Sequence, residues 1–401
     1  MSSFGVRSIT AARALASLAK PRARAGEPVR RILIAHYLLL GDTILLAPLL
    51  KKLAMLYPRA ERVVLARPAV APLFARRPYG AIAMPFNRRD AASRRRVIDS
   101  GPYDLAIVPD DNRYAWLARA AGARRVIGFA NDKPAWKNLM LDCAVSYPDR
   151  AGAWADIAAR CLAGDGIESE SGASAERFQA DEWPAPDAAP FDRPTQPYVV
   201  LHVGASTPLK QWPAERWRAL ADRLIAEGFH IVWSGGSGEH AVLDAIGSRF
   251  LPHASRAAMH AEETDLVGRV DLPQLWQLLA RARLLVCPDT GIAHLARIVG
   301  VPTVALFGPG SRVIHGAGEF WADAPFRAIT IDDFPCRDQR TLYRREIAWV
   351  RRCGRRFDAD ALPAGRSDPS TCGDGLCMKA LPLDAVHDAA HTLLQSSEPG
   401  R

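Results

Sequence analysis

The chain has 401 residues, 49% apolar and 24% charged, with a formal net charge of +9 and a pI near 9.4. That length predicts two or three domains with sizeable cores, and the composition is that of an ordinary soluble globular protein. No apolar run reaches transmembrane length, and the basic balance suits an anionic partner without choosing among nucleic acid, a membrane surface and a phosphorylated small molecule.

Residues 1–28 form a basic extension with one acid, Glu27, and without the long apolar centre of a secretory signal. It reads as a frayed, solvated tail, with a short basic amphipathic helix on an anionic membrane as the alternative. From residue 29 to 182, strand-like and helix-like stretches alternate. "RRILIAHY", "RVVLAR", "YDLAIVP" and "RRVIGFA" read as strands, "GDTILLAPLLKKLAMLY" and "NRYAWLARAAG" as helices. This rhythm predicts a parallel sheet with helices on both faces. Residues 183–197, dense in proline and aspartate, read as a linker. The rhythm then restarts with "YVVLHVGAS", "HIVWSGGSG", "RLLVCPDTG" and "PTVALFGPG" as strands, so a second α/β domain is expected over 198–382. An Arg- and Cys-rich insertion spans 332–377, and an amphipathic helix at 383–397 closes the chain. In such sheets ligands bind beyond the carboxyl ends of the strands.

In the first domain, Gly41-Asp42 falls between the first strand and the first helix. Asp42 reads either as an N-cap or as a base facing a cleft. A helix start stabilises the carboxylate and so weakens the base, which is tolerable if the attacking hydroxyl acidifies only as its bond forms. Arg88 and Arg89 in "NRRDAASRRR", and Arg113, are a solvated face or a rim for an anionic acceptor. The arginine run lacks interleaved aromatics, so nucleic acid is not favoured. Asp110 and Asp111 are not a spaced Asp-x-Asp pair and do not read as a metal site.

In the second domain, "HVGASTPLKQWP" offers Ser206 and Thr207 hydroxyls and the mobile charge of Lys210, which a diphosphate requires. "HIVWSGGSGEH" ends a strand in glycines and then Glu239, an acid placed to bind ribose hydroxyls. Asp289-Thr290-Gly291 follows a strand and opens a helix containing His294. Helix-start N–H groups are unpaired and the dipole is positive there, so Thr290 and Gly291 suit a phosphate and Asp289 suits sugar hydroxyls or a cap. An aspartic protease is excluded by the following Ile292, the helix and the single Asp-Thr-Gly. A dehydrogenase is disfavoured because no G-x-G-x-x-G follows the first strand. Cys143, Cys161 and Cys287 read as core residues. Cys336, Cys353, Cys372 and Cys377 read as loop thiols, a metal or disulfide staple being the lesser alternative.

Together, "LLLGDTILLAPLLKKL", "HVGASTPLKQWPAERWRALADRL" and the block from "DLVGRVDLPQLW" to "VALFGPGS" resemble glycosyltransferase family 9, the ADP-heptose–lipopolysaccharide heptosyltransferases. The resemblance implies an α/β, GT-B architecture: two Rossmann-like parallel-sheet domains with a cleft between them and the final helix crossing back to the first. It implies inverting, metal-independent transfer from a nucleotide-diphosphate sugar, without cofactor, to an anionic glycolipid acceptor. The expected location is cytoplasmic, with peripheral attachment to the inner membrane as an added option. Asp42 matches the family's base and Lys210 its diphosphate lysine. Glu239 matches its ribose acid, and Asp289, Thr290, Gly291 and His294 match its donor block, with the adenine pocket near Gly268 to Val270. The long basic insertion and the N-terminal extension depart from the family pattern and bear on donor and acceptor identity. Another nucleotide-sugar donor, or a non-catalytic nucleotide-sugar-binding protein at a membrane surface, are the competing readings.

Overall fold

The computed structural model describes residues 3–19, 27–163, 177–248, 262–357 and 370–396. The chain divides into two compact units. The first takes Met1–Pro186 together with Gly318–Phe320 and Arg340–Val350, and the second takes Asp187–Ala317, Trp321–Gln339 and Arg351–Arg401.

In the first unit, β1 (Arg31–Ile34), β2 (Glu61–Ala66), β3 (Ala81–Pro85), β4 (Leu105–Val108), β5 (Arg125–Phe129) and β6 (Cys143–Val145) form one sheet. Its order is β3-β2-β1-β4-β5-β6 and every pairing is parallel. In the second unit, β7 (Tyr198–His202), β8 (His230–Ser234), β9 (Glu263–Asp265), β10 (Leu284–Pro288), β11 (Thr303–Phe307) and β12 (Phe326–Thr330) pair in parallel in the order β12-β11-β10-β7-β8-β9. Both sheets have the doubly wound order that reverses direction beside the first strand, and each reversal opens a crevice at the carboxyl ends. In the first unit the crevice lies between β1 and β4, in the second between β7 and β10.

The inner strands are apolar runs because both of their faces are covered. "LAIV" of β4, "YVVLH" of β7, "LLVCP" of β10 and "TVALF" of β11 are buried at every position. The second core adds Trp212, Trp217 and Trp233, with the first two rings edge-to-face at 5.2 Å. Burying rings of this size contributes about 2–3 kcal/mol each before ordering costs.

Four expectations are corrected. The segment read as one helix from Gly41 is two, Leu40–Ile44 and Ala47–Leu56, the second opened by Pro48 in its first turn, where the missing N–H costs nothing. Residues 3–17 of the extension are not a frayed tail. They form a helix whose Ala14 joins the first unit's core with Tyr114, Ala115 and Ala118, and whose Arg13 pairs with Asp99. The insertion is not wholly part of the second domain, because Arg340–Val350 belongs to the first unit. The closing helix, Leu383–Ser396, buries Val386, Ala390, Leu393 and Leu394 in the second unit's own core rather than crossing to the first.

Candidate functional site

The second unit's crevice is joined across its two strands by one contact. Lys210 sits at the end of a short 3-10 turn, Pro208–Lys210, after β7, capped by the Thr207 hydroxyl. Its Nζ donates to the Asp289 carbonyl at 2.5 Å and to Asp289 Oδ2 at 3.1 Å, just beyond β10. Burial pushes the Asp289 carboxyl up, but Lys210, His315 and His294 outweigh it and hold it at about 2. Asp289 is therefore not the cap of the following helix, Gly291–Val299. The cap position is Thr290, whose hydroxyl makes no capping bond and is buried without a hydrogen-bond partner. The unpaired N–H groups of that helix start, the Lys210 ammonium and the Thr290 hydroxyl make an anion cradle. Gly310 backs it closely, since a Cβ there would lie 2.1 Å from Asp289 Oδ2. His294 is buried, with Nδ1 at 3.2 Å from the Arg297 guanidinium. Burial and then Arg297 carry its pKa well below the ordinary value.

Beyond β8 and β9 lie the remaining donor candidates. Glu239 ends the turn Ser237–Glu239, and its carboxylate folds over Gly236, where a Cβ would meet Oε2 at 2.9 Å. Gly268, at φ +69, donates its N–H to the Gly235 carbonyl, which brings the β8 and β9 loops together. Val270 is half-buried on the same turn and Ser206 is exposed after β7.

In the first unit, Asp42 is half-buried and stands in the first turn of Leu40–Ile44, while Leu39 holds the cap position without a side-chain bond. Asp42 is thus not an N-cap. Its Oδ1 accepts a 2.9 Å hydrogen bond from the Tyr343 hydroxyl. Across the crevice, after β4, Asp110 is buried. Burial first, and then the charges of Asp111 and Asp42, push its carboxyl up to about 7 against the opposing Asp111 N–H. His36, after β1, is buried with Nδ1 accepting from the Leu38 N–H and Nε2 unpartnered, and burial and Arg67 lower its pKa to about 3. Arg88 lies over the Tyr37 ring at 5.4 Å, and Arg89 is exposed. Arg113 keeps its side chain 40% exposed. It is paired with Asp111 at 2.8 Å, a carboxylate that also holds Lys137 and Arg344.

Sequence reasoning missed Tyr343, Arg345, His36 and the role of Asp110. A signal existed for His36 and Asp110, which follow the two strands flanking the reversal. None existed for Tyr343. The late cysteines, read as loop thiols, lie together: Cys336, Cys353, Cys372 and Cys377 line one small pocket with Leu209 and Pro309. The Cys336 S–H, by hydrogen bonding, lowers the pKa of the Cys353 thiol below its ordinary value. No disulfide joins them, and among the described residues no group of three or more His, Cys, Asp or Glu is arranged to hold a metal ion.

A model of glycosyltransferase family 9 (heptosyltransferase) matches residues 92–320. Lipopolysaccharide heptosyltransferase 1 of Pseudomonas aeruginosa is 28% identical over 250 residues, covering 60% of this chain and 66% of that protein. Lipooligosaccharide heptosyltransferase 2 of Haemophilus ducreyi is 27% identical over 326 residues, covering 70% and 84%. The solved ADP-heptose heptosyltransferase II of E. coli superposes with a TM-score of 0.66 at 20% identity, covering 92% of this chain and all of that one, and the two six-stranded units share its GT-B type of fold. With the family model matching more than half of its length, the chain belongs to glycosyltransferase family 9 and is a glycosyltransferase.

Proposed function

We propose that the protein transfers heptose, with inversion and without a metal, from ADP-heptose to a lipopolysaccharide core or similar glycan. The Lys210–Asp289 contact at the second unit's crevice, beside an unoccupied hydroxyl and a helix start, carries the reading. In the transfer, the acceptor oxygen bonds to the anomeric carbon as the bond from that carbon to the diphosphate oxygen breaks. Asp42 takes the acceptor's proton, and the nucleotide diphosphate leaves with the bonding pair. Lys210 exchanges the Asp289 carboxylate for the departing phosphate, and the N–H groups opening Gly291–Val299 receive its charge. Glu239 holds the ribose and the turn at Gly268 to Val270 frames the base. Heptose and a lipopolysaccharide acceptor are supported by the names of the related enzymes from Pseudomonas and Haemophilus.

A screen of sugar nucleotides against truncated lipopolysaccharide, with product analysis, tests donor and acceptor. Turnover with ADP-heptose that survives EDTA supports the proposal, whereas exclusive use of a UDP-sugar, or a strict magnesium requirement, overturns it. Attachment to a membrane face belongs to the same proposal. No described helix is long and apolar enough to cross a membrane, but Leu15 and Leu18 are exposed on and just after Ser3–Ser17. Flotation of anionic liposomes with the wild type and with Leu15→Ser/Leu18→Ser tests it, and equal flotation removes the helix from the account.

A further inference from the structure

The strand pair β13 (Thr341–Leu342) and β14 (Arg345–Glu346) is joined by two residues, Tyr343 and Arg344, both in the left-handed region at φ 45 and 66. A two-residue turn of this kind ordinarily uses Asn and Gly, because a side chain there costs about 1 kcal/mol or more per residue. Here two bulky residues occupy it, so something outside the turn holds it.

Arg345, 1% exposed, is the clamp. Its guanidinium donates to the carbonyls of Ala130, Asp110, Phe129 and Tyr343 and to Asn112 Oδ1. Arg344 pairs with Asp111 at 2.5 Å, and Trp349 donates to the Pro148 carbonyl at 2.8 Å. The hairpin is thereby fixed to β5 and to the loops after β4, β5 and β6. Its tip lays the Tyr343 ring against Trp154, with centroids 5.0 Å apart, and sets the phenol 2.9 Å from Asp42 Oδ1. Burial, and next the Asp42 charge, push the phenol's pKa well above its ordinary value, so it remains a proton donor.

We propose that Tyr343 is a positioning residue for the transfer: its hydroxyl pins Oδ1 of Asp42 so that Oδ2 faces and deprotonates the acceptor. The proposal rests on Asp42 being the base, as read above. The gain lies in orientation, where misplacement by about 1 Å costs on the order of 10²-fold in rate.

Tyr343→Phe keeps the ring on Trp154 and removes the hydroxyl. Expected are a roughly 10- to 100-fold fall in kcat, a donor KM within about twofold of wild type and an unchanged melting temperature. Asp42→Asn is assayed beside it. If Asp42→Asn is inactive while Tyr343→Phe turns over at the wild-type rate or faster, the positioning role is overturned and the base assignment stands. A Tyr343→Phe protein that melts early and binds donor poorly, with kcat per folded molecule intact, overturns it in favour of a structural role. If Asp42→Asn retains turnover, the base assignment fails and the positioning role fails with it.

Discussion

Replacing Lys210 with methionine should separate what that side chain does for stability from what it does for transfer. Lys210 is the principal charge holding the buried Asp289 carboxyl at about 2 instead of the ordinary 3.8, which is worth about 2 kcal/mol. A depressed carboxyl contributes stability that is present above its ordinary pKa and lost as the pH falls through about 2. In Lys210→Met, the largest influence opposing burial is gone from Asp289 and its pKa rises. The variant should therefore lose roughly 2–4 kcal/mol at pH 7, since an uncompensated buried charge is left behind. For a unit of this size that lowers its melting transition by on the order of 4–16 °C. The deficit should shrink as the pH falls toward 2. Adding Asp289→Asn removes the stranded charge, so the double variant should recover most of the stability while donor turnover stays low. Scanning calorimetry from pH 3 to 8, with turnover measured on the same preparations, reads both quantities. A Lys210→Met protein that melts with the wild type at pH 7, or a double variant no more stable than the single, would refute the reasoning.

Thr290→Val replaces a buried, unpartnered hydroxyl with a methyl of the same shape, so it should leave stability equal or higher by up to about 1 kcal/mol. Donor affinity, measured by calorimetric titration, should fall roughly tenfold if that hydroxyl meets phosphate. Asp110, pushed up to about 7, contributes stability that is full below its ordinary pKa and lost as the pH rises through 7. Asp110→Asn should therefore gain on the wild type between pH 4 and 8 in urea titrations, and parallel curves would contradict the burial account. Arg345→Met strips five hydrogen bonds from buried acceptors and should cost roughly 3 kcal/mol or more, seen as earlier unfolding of the first unit.

The inner strands were legible in the sequence and the outer ones were not. The four strands that escaped the sequence reading, β3, β6, β9 and β12, are the edges of the two sheets. An edge strand is covered less, so β3 is buried only at Ala81 and β12 at no position, and neither has the long apolar run that marks β10. Asp42, Lys210 and Asp289 were legible because each lies in the segment that follows an inner strand's carboxyl end, where topology alone predicts ligands. The N-cap alternatives for Asp42 and Asp289 fell for one reason: in each case the carboxylate bonds a side chain from elsewhere in the sequence, Tyr343 or Lys210. The Tyr343–Asp42 contact joins residues 301 apart. Local pattern carries no trace of such a pairing, nor of the burial of Arg345 within the Arg-rich insertion. Residues 3–17 misled in the same way, because their docking depends on small residues such as Ala14 rather than on a strong apolar stripe.

The hairpin that completes the first unit has a consequence for how this chain is made. Synthesis runs from the N-terminus, and early domains ordinarily finish folding while later ones are still emerging. Here the carbonyls of Asp110, Phe129 and Ala130 wait for a guanidinium encoded more than two hundred residues downstream. Until Arg345 leaves the ribosome, the loops around Asp110 and Phe129 lack their brace, so the earliest-made half is among the last to reach its working form.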